Sequence, residues 1–84
     1  MNFHTIKSVK PLKNMIIEVL FSTGENKKYD IKPLIKKIKG FEKLTDTELF
    51  NKVKVDIGGY AIIWNENIDL SSEEIWKNGI LIND

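Results

Sequence analysis

The thirteen residues Lys52–Trp64, KVKVDIGGYAIIW, restrict the fold more than any other stretch. Val53, Val55 and Ile57 alternate with polar neighbours, and an apolar run resumes from Tyr60 to Trp64. Between them, Gly58 and Gly59 tolerate the positive φ that a tight turn matching the twist of its strands demands. The stretch predicts an antiparallel hairpin with a two-residue turn. A second hairpin is expected upstream. In MIIEVLF, Met15, Ile17, Val19 and Phe21 share one face while Ile16 and Leu20 partly cover the other, which is the pattern of a central strand. Ser22–Glu25 is turn chemistry, and Asn26–Asp30 is the return strand. Phe3–Leu12, marked by Ile6, Val9 and Leu12, reads as a strand with a bend or bulge, and Asn14 as the turn after it.

At Asp30 the apolar period changes from two to 3.6. Asp30 can cap a first turn, Pro33 stands where its missing N–H costs nothing, and Ile31, Leu34, Ile35 and Ile38 fall at helical spacing. An amphipathic helix ending at Gly40 is expected, with Lys32, Lys36, Lys37 and Lys39 on its outward face. Two shorter helices share one grammar. Thr45 with Glu48 and Ser71 with Glu74 each pair a hydroxyl N-cap with a glutamate three residues on, while Leu44/Leu49 and Leu70/Ile75 supply hydrophobic staples. After a stop at Asn78-Gly79 come three aliphatics, Ile80, Leu81 and Ile82. An edge strand, a dimer contact and a frayed tail are the alternatives; the hydrophobic cost of exposing them favours burial.

These elements compose one α+β domain over residues 1–84: a small antiparallel or mixed sheet of about five strands, including two hairpins, packed with one amphipathic helix and two short capped helices. The composition is that of an ordinary globular chain, 42% hydrophobic and 30% charged. With no cysteine there is no disulfide, no thiolate nucleophile and no cysteine zinc site, in keeping with a cytoplasmic protein. No apolar run reaches the length of a membrane span.

Charge is unevenly spread. Between Lys27 and Lys43 seven lysines stand against two carboxylates, whereas Asn65–Asp84 holds five carboxylates and one lysine. All thirteen basic residues are lysine, which lacks the planar fork that reads guanine and phosphate bidentately. Lys27, Lys28, Lys32, Lys36, Lys37 and Lys39 remain the candidates for a nucleic-acid surface, with a solvated helix face as the plainer reading.

Catalytic chemistry finds little support. His4, the one histidine, has no acidic orienter or nucleophile that the sequence places beside it. The serines sit in caps, turns and strands, and there is no nucleophile elbow or phosphate loop. Asp56, Glu66 and Asp69 flank the hairpin, but without the tight spacing of a calcium loop. Trp64, Trp76, Tyr29, Tyr60, Phe21, Phe41 and Phe50 read as core filling sooner than as a stacking platform. No cofactor or metal is expected, and the chain is expected not to be an enzyme.

Several of these pieces recur in order: Val9-Lys10-Pro11-Leu12; Phe21–Glu25 leading to Tyr29-Asp30 and Pro33-Leu34; Phe41, Leu44 and Leu49-Phe50; Val53–Asp56, Trp64-Asn65 and Ile68-Asp69-Leu70. Over about Ile6 to Gly79 the chain resembles the bacterial family called domain of unknown function 2442. The resemblance implies a small α+β domain, either alone or joined to a helix-turn-helix that is not expected here, and in some cases encoded beside a second short protein in a toxin–antitoxin-like arrangement. It brings no catalytic residues. The expectation is an interaction or regulatory module with a protein partner or a second copy of itself, acting through Ile80, Leu81, Ile82 and the lysine face.

Overall fold

A computed structural model describes residues 4–81 of the chain. Its strands are β1 (Ile6–Pro11), β2 (Ile16–Phe21), β3 (Asn26–Asp30), β4 (Lys54–Val55), β5 (Ala61–Asn65), β6 (Ile68–Ser71) and β7 (Ile80–Leu81). Its α-helices are α1 (Lys32–Lys37), α2 (Thr47–Phe50) and α3 (Ser72–Asn78). The class is α+β. Among the described residues there are seven strands in two antiparallel sheets, ordered β1-β2-β3-β7 and β4-β5-β6, where about five in one sheet were expected.

The first sheet follows the alternation of its sequence. Ile17, Val19 and Phe21 are wholly buried, and Ile16 and Leu20 are half-buried on the opposite face. The expected irregularity in β1 is a register shift between Ile6 and Ser8, and Asn14 turns the chain with φ 63°. One continuous core joins the sheets. Trp64 stands at its centre with Phe41 and Phe50, ring centroids 6.0 and 6.4 Å away, and its indole N–H donates to the Phe50 carbonyl at 3.2 Å. The aromatic residues therefore serve packing; of those considered as a platform, Tyr60 is exposed and Trp76 half-buried.

Four expectations are corrected. The hairpin of Lys52–Trp64 forms, but its connection runs over five residues, Asp56–Tyr60, closed by the Asp56 amide donating to the Ala61 carbonyl. Gly58 and Gly59 take φ of 85° and 79° within a short 3₁₀ turn, and Ile57, which alternation assigned to the core, projects with 96% exposure. The lysine helix stops at Lys37 because the chain leaves it at Ile38, φ −119°, and a 3₁₀ turn then carries Phe41 and Leu44 into the core. Burying a phenylalanine and a leucine outweighs leaving Ile38 at 39% exposure. The cap of α2 is Asp46, which accepts from the Glu48 amide, while Thr45 donates to the Glu42 carbonyl. Finally, Ile68–Ser71 is a strand, with Ile68 and Leu70 buried and Asp69 exposed, so α3 is entered directly from a sheet.

Candidate functional site

The two edges of the first sheet are β1 and β7. Strand β7 pairs through Lys28↔Ile80 and Lys27↔Leu81, and this backbone ladder leaves its side chains outside, Ile80 at 74% and Leu81 at 46% exposure. The aliphatic tail is thus an edge strand whose side chains stay in solvent. Ile82 lies outside the described residues. Because β7 covers only Lys27 and Lys28, the end of β3 at Tyr29 and Asp30 has β2 on one side and, among the described residues, no strand on the other. There the edge opens into a cleft of about 280 Å³ between α1 and α3, with Pro33, Leu34 and Lys37 on one wall and Glu74, Asn78 and Ile80 on the other.

The polar groups of this cleft are ordered from within. The Tyr29 hydroxyl donates to Glu74 Oε2 at 2.8 Å, and the Asn78 side-chain amide donates to the same oxygen at 2.7 Å. Glu74 was expected to complete a capping box by reaching back to Ser71. Only half of the box forms: Ser71 Oγ accepts from the Glu74 amide at 3.2 Å, and the carboxylate turns to the sheet instead. The Asn78 amide first, then the Tyr29 hydroxyl, hold the Glu74 carboxyl below the usual carboxylate range. Burial first, then the bond to Glu74, pushes the Tyr29 phenol well above its ordinary value.

Asp30 is balanced similarly. Partial burial raises its pKa, but the Lys32 amide at 3.0 Å and the Lys32 ammonium at 3.0 Å outweigh that and hold it low. Asp30 is thus paired with a cation, whereas Glu74 keeps its charge and is held by two neutral donors. Lys28 and Lys37, which also line the cleft, have no ion pair within 4.0 Å among the described residues.

Of the expected site residues, Lys37 and Ile80 are brought together here. Lys32 is committed to Asp30 and to the Asn14 carbonyl. Lys36 and Lys39 are exposed away from the cleft, Lys39 beyond the end of the helix, so the four lysines do not form one helix face. Lys27 is occupied as well, donating to the Trp76 carbonyl with its Nζ 4.4 Å from the indole centroid. Sequence reading missed Tyr29, Glu74 and Asn78 as a unit, since Tyr29 and Glu74 are 45 residues apart and no local pattern links them.

His4 has the acidic partner the sequence could not place. Its backbone N–H donates to Glu73 Oε2 at 2.8 Å, its ring Nδ1 lies 3.1 Å from the same carboxylate, and its ring stacks on Trp76 at 3.8 Å. The His4 amide first, then the ring, lower the Glu73 carboxyl. This is a clasp between the start of β1 and α3. Asp56 accepts from the Ile57 amide at 2.8 Å, and among the described residues no group of three or more His, Asp or Glu could hold a metal ion.

The family model for "Protein of unknown function (DUF2442)" matches residues 6–80. The chain belongs to this family. Its resemblance in sequence thus extends over both sheets and all three helices. No curated protein matches the chain. A crystal structure of the "Putative DNA Binding Protein NE0471" from Nitrosomonas europaea is similar in fold, with a TM-score of 0.74 and 21% identity over 90% of this chain. This DUF2442 chain spans about half the length of that protein. No helix among the described residues is long and apolar enough to cross a membrane.

Proposed function

We propose that this chain is a non-enzymatic protein-interaction module of the cytoplasm, an antitoxin-like regulator that holds a partner protein through the β7 edge. The observation that carries the reading is the exposure of Ile80 and Leu81 on a strand with an unpaired side, since such an edge is a template for another chain. The non-enzymatic part is supported by how the reactive groups are used: His4 is fixed to Glu73 and Trp76, and Ser71 caps α3. The test is co-expression with the product of the adjacent gene. Stoichiometric copurification that is lost in the Ile80→Asp/Leu81→Asp double variant supports the reading; copurification unchanged by the double variant, or none at all, counts against it.

A second reading, nucleic-acid binding, is favoured by the exposure of Lys36, Lys37 and Lys39 and by the description of the structural neighbour as a putative DNA-binding protein. It requires binding to a DNA duplex that weakens steeply as salt rises, because neutralising phosphates releases counterions. Salt-insensitive or absent binding eliminates it.

A further inference from the structure

We propose that Asn78-Gly79 is a site of spontaneous covalent modification, at which the Asn78 amide becomes aspartate or isoaspartate when the end of α3 opens, and that the fold is the brake on this reaction. In the first step the backbone nitrogen of Gly79 attacks Asn78 Cγ. The new N–Cγ bond closes a succinimide ring, the attacking nitrogen gives its proton to solvent base, and the Cγ–Nδ2 bond breaks to release ammonia, which takes its added proton from water. In the second step one water molecule opens the ring at either carbonyl. One product is aspartate; the other is isoaspartate, whose main chain runs through the side chain and is one atom longer. Water is the sole co-reactant, and nothing is oxidised or reduced.

Of the chain's asparagines only Asn78 is followed by glycine. A glycine in that place leaves the attacking nitrogen unshielded by a Cβ and free to swing over the amide carbon. Both halves of this labile pair are nonetheless required where they stand. A Cβ at Gly79 would lie 2.5 Å from the Ile75 carbonyl oxygen and 3.3 Å from the Lys28 carbonyl oxygen. Asn78 supplies the 2.7 Å donor to Glu74, a carboxylate with no ion pair among the described residues, whose other side-chain donor is the Tyr29 hydroxyl. The packing between α3 and β7 therefore calls for the dipeptide whose chemistry is least durable.

The same contacts restrain the reacting atoms. The Gly79 amide donates to the Ile75 carbonyl at 2.8 Å, and a carbonyl does not take the proton away, so the nitrogen stays a poor nucleophile. Asn78 closes α3, and its side-chain nitrogen is tied to Glu74 Oε2 one turn back along the helix, the direction opposite to Gly79. That oxygen is itself fixed by the Tyr29 hydroxyl at 2.8 Å, so the amide of Asn78 is anchored to β3 through Glu74. Attack needs the Gly79 amide out of its helical bond and the Asn78 amide off Glu74. Fraying of the last turn of α3 releases both, and helix ends open at the low end of a fold's stability scale.

Conversion does not reverse, and it undoes the junction that restrained it. An aspartate in place of Asn78 removes a donor from Glu74 and sets a second carboxylate one helical turn from it, a like-charge pair that weakens the end of α3. An isoaspartate adds a main-chain atom immediately before the strand in which Ile80 pairs with Lys28 and Leu81 with Lys27, so β7 loses its register. Either product unlatches β7 from the sheet, whatever that edge binds.

The experiment ages the full 84-residue chain at mildly alkaline pH, in native buffer and in urea, and follows it by intact mass and by peptide maps in which isoaspartate is labelled enzymatically. Conversion is expected at Asn78 before any other asparagine, and slower in native buffer than in urea by at least about tenfold. The ratio of the two rates should equal the hydrogen-exchange protection of the Gly79 amide within about threefold, because one opening governs both. Glu74→Ala should speed native conversion by roughly fivefold, the worth of the lost hydrogen bond, and leave the rate in urea unchanged. Asn78→Gln, whose longer side chain closes its ring far more slowly, should stay unmodified. In the converted chain Ile80 and Leu81 should lose amide protection. Equal rates in native buffer and urea, first conversion at another asparagine, or a converted chain with Ile80 and Leu81 still protected overturns the proposal. So does a Glu74→Ala chain that converts no faster than the unsubstituted one. The match between conversion and Gly79 protection is read on the unsubstituted chain alone, so it decides the matter even where Glu74→Ala unfolds; a mismatch beyond that threefold removes the brake.

Discussion

The two edges of the first sheet face the same hazard and are built in opposite ways. Strand β1 runs six residues, is bent by a register shift after Ile6, ends at Pro11 and exposes Lys7 and Lys10, all of which discourage another strand from adding. It is also covered: the Asp56–Tyr60 loop packs on it so closely that a side chain at Gly59 would lie 2.8 Å from the Ile6 carbonyl oxygen. Strand β7 lacks the bend, the proline and the lysines, and its shortness is the guard it has. It is two residues long, both are aliphatic and both are exposed, and the strand beside it continues uncovered into a cleft. This difference between the edges is what the proposal of a partner at β7 rests on.

The largest effect is expected from breaking the covered edge. Gly59→Ala places a Cβ against backbone at φ 79°, and the combined clash and left-handed strain should remove about 2–4 kcal/mol of stability, read as a lowered midpoint in urea. Gly79→Ala tests the other edge. Its Cβ would stand 2.5 Å from the Ile75 carbonyl oxygen and crowd Lys27 and Lys28, so β7 should detach at a cost of about 1–3 kcal/mol, seen as loss of amide protection at Ile80 and Leu81 while β1 stays intact. Tyr29→Phe removes one of the two donors to Glu74 and should cost about 1 kcal/mol, loosening α3 against β3.

Acid should act on the clasp that holds the start of β1. Glu73 and Glu74 are both depressed in the folded chain, so the unfolded chain takes up more protons as pH falls past their ordinary value of 4.5. Stability should be flat above that pH and decline below it as the folded carboxylates titrate, and Glu73→Gln should reduce the decline. The smallest effect on folding is expected at the bare edge itself. Ile80→Asp should change stability by no more than about 0.5 kcal/mol while abolishing partner binding, a separation that chemical denaturation and a binding isotherm measure side by side.

Much of the frame was legible because local pattern and tertiary burial agree in it. The alternation of Ile17, Val19 and Phe21, the bulge in β1 and the Ser71 cap all follow from neighbours in sequence. Where two local signals compete, the reading slips by a residue: Thr45 and Asp46 are both acceptable caps, and Asp46 is used because Thr45 belongs to the preceding 3₁₀ turn. Ile57 shows a different failure. Its alternation with Val53 and Val55 promised burial, but the pairing of Lys54 with Ile63 and Val55 with Ile62 sets a five-residue connection, and that leaves Ile57 in solvent.

The candidate site was the least legible part. Ile80 and Lys37 were picked out individually, for hydrophobicity and charge, but their convergence depends on α3 returning to β3 through Tyr29 and Glu74, a contact between residues 45 positions apart. The same distance hides which charges are satisfied. In sequence Lys32 and Lys37 are equivalent; in the fold Lys32 is paired with Asp30 and Lys37 is not paired among the described residues.

Amide hydrogen exchange of the chain with and without its copurifying partner tests the role of the bare edge most directly. Binding should slow exchange at Lys28, Tyr29, Asp30, Ile80 and Leu81 and leave β1 and the Asp56–Tyr60 loop unchanged. Protection gained along β1 or that loop, with the β3–β7 edge exchanging as fast as in the free chain, would contradict it.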